Sequence, residues 1–354
     1  MSPTVVPPSA NFPKPLAFDL YPTNGFAKYV WSDGKWGAVD YGASVFEGMK
    51  AFRHPDGQVR IFRPKDNSAR LNHSADVVCM PEVPEATFLE GVHLAVAKNL
   101  EWVPPHADYG SSGSMYIRPL LFASGPNLIL SPPSEFTFIV YVTPTGSLYG
   151  TAGSVAPAVD AFIIETFDRS APMGVGHAKL AGNYAPTFKH SMAAKKAGFA
   201  ITLHLDSKTR TNIDEFSTSN FLAIAKSSDP TQKKKLVVPT SESILKSVTT
   251  KAIIDIAESF GWEIERRVIP FKQVVDGEFE EVCACGTAAA ITPIRSITYH
   301  DSSETTKKIL IGDGVNAGKG FLSILQKLTG IQSGTEKDTF GWTWPAEGVD
   351  GAHA

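Results

Sequence analysis

Lys179 stands in the run GVGHAKLAGNYAP, followed by apolar Leu180 and flanked by small residues. A lysine in an apolar, glycine-flanked setting can lose its proton and attack a carbonyl carbon. Tyr116 and Arg118, in SMYIRP, are two residues apart on an expected strand and so share a face. A phenol and a guanidinium on one face, amid apolar neighbours, suit a carboxylate. Arg63, in RIFRP, is expected on a strand, on the face of Ile61. Ser247-Val248-Thr249-Thr250 opens an expected helix, whose free N–H groups and dipole favour an anion such as phosphate. Gly286-Thr287-Ala288 is a small-residue turn that lets backbone N–H groups approach a ligand closely. Glu215, in NIDEFSTSN, has Thr218 and Asn220 nearby.

Each signal alone also fits a plainer role: a surface lysine in a Gly-rich loop, an exposed strand face, a salt-bridged edge arginine, a solvated turn carboxylate. Cys283 and Cys285, one residue apart on an expected strand, fit two buried structural thiols better than a redox pair. The run Lys233–Lys235 reads as a solvated loop. Taken together, the candidates supply a nucleophilic amine, a carboxylate, a phosphate site and a carboxylate-binding face. Pyridoxal phosphate needs all four.

Several elements must hold these groups. A turn and strand are expected over 56–63, strands over 114–122 and 135–143, and a helix over roughly 87–101. The run PTGSLYGTAGSVAP, 144–157, reads as a linker. Beyond it come a strand at 161–168, a helix at about 185–197 ended by Gly198, and strands at 199–205 and 220–225. A helix is expected from Val248 to Phe260, with Ser247 as N-cap and Gly261 beyond its end. A last helix spans about 316–329 and is stopped by Gly330. The fold class is α/β (α+β) in two domains. A smaller N-terminal α/β domain takes 1–147, with a Pro-rich extension at 1–24. An interdomain loop takes 148–157, and a larger C-terminal domain takes 158–354.

Composition excludes whole classes. With 43% hydrophobic and 19% charged residues, the 354-residue chain is ordinary for a soluble globular protein and too apolar for disorder. A net charge of -3 gives no footprint for nucleic acid or an anionic membrane. No run of apolar residues is long enough for a transmembrane helix. Three cysteines make no disulfide framework and leave a metal site unexpected. The first arginine is Arg53, and the early prolines forbid an amphipathic leader helix. The cytosol is the expected compartment, with mitochondria left open.

The segments YGASVFEGMKAF (41–52), RIFRP (60–64), YIRP (116–119), KLAGNY (179–184), DEFSTSNF (214–221) and CGTAAAITP (285–293) occur in that order. Together they resemble the branched-chain amino-acid aminotransferases, fold-type IV (class IV) pyridoxal-phosphate enzymes, over about residues 25–330. The resemblance implies a small α/β domain, a larger barrel-like β domain with flanking helices, the cofactor between them, and a homodimer or larger assembly. It implies Lys179 as the residue that binds the cofactor covalently and then shuttles the substrate proton. Tyr184 would bond the phenolic oxygen and Glu215 would face the pyridine nitrogen, with Thr218 counted among the cofactor residues. Arg63, the N–H groups of Val248 and Thr249, and Thr287 would hold the phosphate. The substrate α-carboxylate would meet Tyr116 and the N–H groups of Thr287 and Ala288. Arg118 would take the distal carboxylate of glutamate or 2-oxoglutarate. Tyr41 and Phe46 would line the apolar pocket, and Tyr149 would close over it.

The expected reaction is transamination of Leu, Ile and Val with 2-oxoglutarate, giving branched-chain 2-oxo acids and glutamate. The alternative is a related aminotransferase making an unusual aliphatic amino acid for secondary metabolism. The YIRP and FEGMKA motifs argue against a D-amino-acid aminotransferase or aminodeoxychorismate lyase. Lys179, Glu215, Arg63 and Tyr184 together argue against a degenerate binding scaffold. Three departures from the family pattern stand out. Ala289 and Thr292 occupy the positions of a Cys-x-x-Cys pair found in some members. Leu245-Lys246-Ser247 replaces Leu-Pro-Gly, and Ala181-Gly182-Asn183-Tyr184 replaces Gly-Gly-Asn-Tyr.

Overall fold

The computed structural model describes residues 7, 9, 27–31, 42–109, 113–124, 130–146, 157–227, 229, 231–301, 303 and 305–346. Tyr41 and Tyr149, with most of 1–24 and 148–157, lie outside the described residues.

The chain opens with β1 (Ala27–Trp31), β2 (Ser44–Phe46), β3 (Met49–Arg53) and β4 (Val59–Phe62). Three helices follow: α1 (Pro64–Asp76), α2 (Glu85–Ala97) and the single turn α3 (His106–Tyr109). Next come β5 (Ser114–Ala123), β6 (Phe136–Thr145), β7 (Val159–Ile163), α4 (Phe188–Lys196), β8 (Ile201–Leu205) and β9 (Ile213–Phe216). β10 (Ser219–Ala225), β11 (Lys235–Pro239), α5 (Val248–Ser259), β12 (Glu263–Arg267) and α6 (Phe271–Val275) lead on. The last elements are β13 (Phe279–Gly286), β14 (Ala290–His300), β15 (Thr306–Leu310), α7 (Lys319–Ser333) and β16 (Thr343–Pro345).

These elements form two compact units. The first is Met1–Ala152, Ala178–Ala181 and Thr329–Ala354; the second is Gly153–His177 and Gly182–Leu328. The short stretch with Lys179 and the C-terminal stretch thus count with the first unit, whereas the sequence alone placed all of 158–354 in one domain. β16 explains the C-terminal part, because it pairs antiparallel with β4, Thr343 opposite Phe62.

The first unit is an antiparallel sheet ordered β1-β6-β5-β3-β4-β16, with β2 also on β5. Met49, Ala51, Met115, Ile117, Phe138 and Val140 form its core with Leu71 and Ala75 of α1 and Phe88 and Val92 of α2. Strand alternation sends Lys50, Tyr116 and Arg118 to the opposite face.

The second unit holds a closed ring of six strands, β10-β13-β14-β7-β8-β9, in which β9 pairs back onto β10. Closure removes the free edges an open sheet would leave. β11 and β12 extend the sheet from β10, and β15 adds to β14. Val282 and Ala284 of β13 enter the core with Phe216, Phe221 and Ile294. α5 begins as its sequence indicates: Ser247 Oγ accepts from the Thr250 N–H at 3.1 Å, and Gly261 leaves the helix at φ 77°.

No element is expected where α1 forms, the strand expected over 161–168 ends at Ile163, and two further local expectations change. α7 runs through Gly330 to Ser333. A Cβ on Gly330 would press on the Glu336 side chain, so this glycine serves close packing and Gly334, at φ 76°, follows the true end. Arg63 is not on a strand. It caps α1 at φ 52°, and Pro64 starts the helix at a position where proline costs no hydrogen bond.

Candidate active site

In the first unit, the backbone of Lys179 is fixed on both sides. Its N–H donates to Ser74 Oγ of α1 at 2.9 Å, and its carbonyl accepts from the Phe46 N–H at 3.2 Å. Ala178 and Leu180 are buried, and Leu180 bridges to Val45. The side chain stays half-buried, with Nζ 4.6 Å from the centroid of the Phe46 ring. The Arg118 guanidinium lies 4.8 Å from that same centroid. Arg118 Nη2 also donates to Tyr116 Oη at 3.2 Å, so the expected shared face is present. An amine and a carboxylate-seeking guanidinium therefore stand against one aromatic wall.

A buried carboxylate supports this wall. Glu47 is fully buried and takes Arg70 Nε at 2.6 Å and Nη2 at 2.8 Å, with Asn67 Nδ2 at 2.7 Å. Lys50 pairs in register with Tyr116, and burial pushes its ammonium pKa down to about 8. Arg63 is buried, its Nε 2.7 Å from Asp66 and its guanidinium 4.9 Å from the Trp342 ring centroid. Its left-handed backbone is costly for a residue with a side chain, on the order of 1 kcal/mol.

In the second unit, strand register sets Glu215, Asn220 and Cys285 in one row across β9, β10 and β13. Asn220 Nδ2 donates to Glu215 Oε2 at 2.7 Å, and Thr250 Oγ1 of α5 donates to Asn220 Oδ1 at 2.9 Å. Glu215 Oε1 meets Arg169 Nη2 at 2.7 Å and accepts the Leu245 N–H at 3.2 Å. Burial pushes the Glu215 pKa up; the Arg169 charge, the Leu245 N–H and the Asn220 amide oppose that without cancelling it. Cys283 and Cys285 are both buried, and burial pushes both thiols up, that of Cys285 to about 12, which disfavours the reactive thiolate.

Thr218 is exposed at the tip of the β9–β10 turn. Val248 and Thr249 are buried in the first turn of α5. Thr287 and Ala288 are half-buried in the three-residue turn from Gly286 to Ala290. Ala290 holds φ 57° there, the strained position such a turn requires. Tyr184 is half-buried just before a short 3-10 turn, and its carbonyl accepts from Thr187 Oγ1 at 2.7 Å.

The profile of the amino-transferase class IV family matches residues 44–297. The chain belongs to the class IV aminotransferases. It is 47% identical to an aminotransferase of Emericella nidulans over 91% of this chain and 89% of that one. It is 44% identical to a transaminase of Alternaria alternata over 89% of this chain and 81% of that one. Among solved structures, the branched-chain amino acid aminotransferase of Escherichia coli superposes with a TM-score of 0.73 at 26% identity, covering 91% of this chain and 99% of that one.

Class IV aminotransferases work with pyridoxal phosphate. The donor set here fits that group. Each unit carries groups of the type such a cofactor needs: a half-buried lysine and a buried arginine in the first, a buried carboxylate and a capped helix start in the second.

Arg169, Glu47, Arg70 and Lys50 were not singled out from the sequence. Arg169 stands in TFDRSAP, which has no periodicity to announce it. No helix is expected over 64–76 from the sequence, so nothing marks Arg70. For Glu47 the only signal was its place inside the FEGMKA motif.

Proposed function

We propose that this class IV aminotransferase moves the amino group of aliphatic L-amino acids, Leu, Ile and Val among them, onto 2-oxoglutarate. The observation that carries the reading is the Phe46 ring, with Lys179 Nζ and the Arg118 guanidinium both packed against it. An apolar wall beside an arginine suits a substrate pair in which one partner is aliphatic and the other carries a second carboxylate.

Bound pyridoxal phosphate supplies the electron sink for loss of the substrate Cα proton. The chain's residues do the rest. Lys179 would hold the cofactor covalently and, once the substrate amine takes its place, would carry the proton on the freed Nζ. Glu215 keeps the ring nitrogen protonated, and the Tyr184 hydroxyl orients the ring. Arg63, the N–H groups of Val248 and Thr249, and Thr287 bind the phosphate, and Thr218 counts among the cofactor residues. Tyr116 and the N–H groups of Thr287 and Ala288 take the α-carboxylate. Arg118 takes the distal carboxylate, and Phe46, with Tyr41 and Tyr149, walls the side chain. On this reading the protein is a cytosolic homodimer of two-domain subunits. Among the described residues no helix is long and apolar enough to cross a membrane.

A second reading is a specialised enzyme for an unusual aliphatic amino acid. It draws support from identity: 47% and 44% to the fungal aminotransferases, against 26% to the bacterial branched-chain enzyme. Pocket walls, rather than the motifs, would then set the substrate, since one methylene is worth only about 1–3 kcal/mol.

A transamination panel separates the two. Purified protein is given 2-oxoglutarate with L-Leu, L-Ile, L-Val, longer linear L-amino acids or D-alanine. Fast turnover of the three branched donors supports the first reading. Neglect of them with turnover of longer donors supports the second, and no turnover at all overturns both.

A further inference from the structure

Ser217 follows Glu215 by two residues and carries a side-chain network that the proposed chemistry does not use. Its Oγ lies 2.7 Å from His204 Nε2 and 2.6 Å from Thr202 Oγ1. Thr202 Oγ1 in turn lies 3.4 Å from Ser191 Oγ on α4, and the Ser217 N–H donates to the Thr202 carbonyl at 2.9 Å. His204, Ser217 and Thr202 are all buried.

The strand register shows what this network braces. Leu203 opposes Phe216, but Leu205 opposes Ile213. One residue of β8, His204, therefore stands against two of β9, Asp214 and Glu215. Such a bulge bends its strand and re-aims side chains, which accounts for two successive acids both being buried. The extra residue also interrupts the ladder just where the carboxylate must be held. The side-chain tie from His204, the residue facing the gap, runs back to Ser217, which pairs with Thr202 just beyond Phe216.

The ring is suited to the task because it stays neutral. Burial, then the charges of Arg169 and His190, push its pKa down to about 3, against a backbone group of Phe167 that favours the protonated ring. A neutral imidazole can grip the Ser217 hydroxyl without competing with Arg169 for the carboxylate. Phe167 packs edge-on against the ring at 6.3 Å and stacks on His190 at 4.5 Å, which fixes its orientation.

We propose that His204 is a positioning residue for Glu215: through Ser217 it ties the residue facing the bulge to the paired end of β9 and so fixes the carboxylate against Arg169. The inference rests on the aminotransferase reading of Glu215.

The test uses the holoenzyme with His204→Ala, His204→Gln, Ser217→Ala and the double alanine variant. Four quantities are read: kcat, the KM of each substrate, the dissociation constant of pyridoxal phosphate, and the pH midpoint of the bound cofactor's visible band. His204→Ala and Ser217→Ala should each lower kcat about tenfold, with KM held within about twofold, because misplacement acts on the reacting geometry. Both should move the pH midpoint, with a much smaller effect on cofactor binding. The double variant should be no worse than either single one, since the two residues act as one clamp. His204→Gln, whose amide reaches the same hydroxyl, should recover most of the loss. Ser217→Ala removes a single oxygen and keeps the test open if His204→Ala folds poorly. A fall in melting temperature with kcat and midpoint unmoved would overturn the proposal, as would a His204→Gln variant no better than His204→Ala. A wild-type protein without transaminase activity would overturn the reading of Glu215 itself, and that outcome needs no variant.

Discussion

Glu47 and Arg70 form a buried two-pronged ion pair, with Nε to Oε1 at 2.6 Å and Nη2 to Oε2 at 2.8 Å. One turn along α1, Ser74 Oγ donates to the Arg70 carbonyl and accepts the Lys179 N–H. The pair therefore seats the same helix face that anchors the lysine. Burial opposes the Glu47 charge, but Arg70, Lys179 and Asn67 outweigh it, so the carboxyl pKa lies below its usual 4.5. Arg70→Met should cost about 3–5 kcal/mol near pH 7, because it strands a buried charge. A lowered folded-state pKa gives stability that is present above pH 4.5 and is lost as pH falls through the folded value. The gap between wild type and variant should therefore shrink on acidification. Urea unfolding across that range checks it; a gap independent of pH would contradict the assignment.

Gly48 gives Tyr116 its place. A Cβ on Gly48 would overlap the Tyr116 hydroxyl. Gly48→Ala should push that hydroxyl away and raise the KM of every substrate, since all carry an α-carboxylate. Stability should fall less than for Arg70→Met. Steady-state kinetics with leucine and glutamate check this; unchanged KM values would remove Tyr116 from carboxylate binding.

Glu215→Gln should slow the chemistry on the order of a hundredfold or more, with a much smaller effect on cofactor binding. An amide there would turn an N–H toward Asn220 Nδ2 or Arg169, both donors, while Asn220 Oδ1 is held by Thr250. The folded-state pKa of Glu215 is raised, so its contribution to stability is full below pH 4.5 and is lost as pH rises through the folded value. The glutamine variant should lack that decline. Single-turnover rates and unfolding curves at several pH values report the two effects separately.

Arg118→Ala should damage use of glutamate and 2-oxoglutarate more than use of leucine. On the proposed reading the guanidinium would reach a second carboxylate, whereas leucine offers only its first. A comparison of kcat/KM across the three substrates decides it. Equal losses would make Arg118 a general carboxylate binder.

The elements with strong periodic signals were legible in the sequence. The strands at Ser114–Ala123 and Phe136–Thr145 and the capped helix at Val248–Ser259 appear within a few residues of expectation. The shared face of Tyr116 and Arg118 followed from strand alternation alone. Partners distant in sequence were not legible. Arg169 meets Glu215 across 46 residues, and Arg70 meets Glu47 only because α1 lies on the sheet. The helical start at Pro64 was hidden because RIFRP reads as a continuous strand, and only the left-handed turn at Arg63 ends it. Gly330 looked like a stop because close packing against Glu336 cannot be read from residue type.

The most direct test of the central claim is a half-reaction. Wild type and Lys179→Ala, both supplied with pyridoxal phosphate, are mixed with L-leucine while the visible spectrum and the release of branched 2-oxo acid are followed. Wild type should bleach the cofactor band and release about one oxo acid per site, whereas Lys179→Ala should do neither at a measurable rate. Oxo acid formed equally fast by the alanine variant would contradict the account.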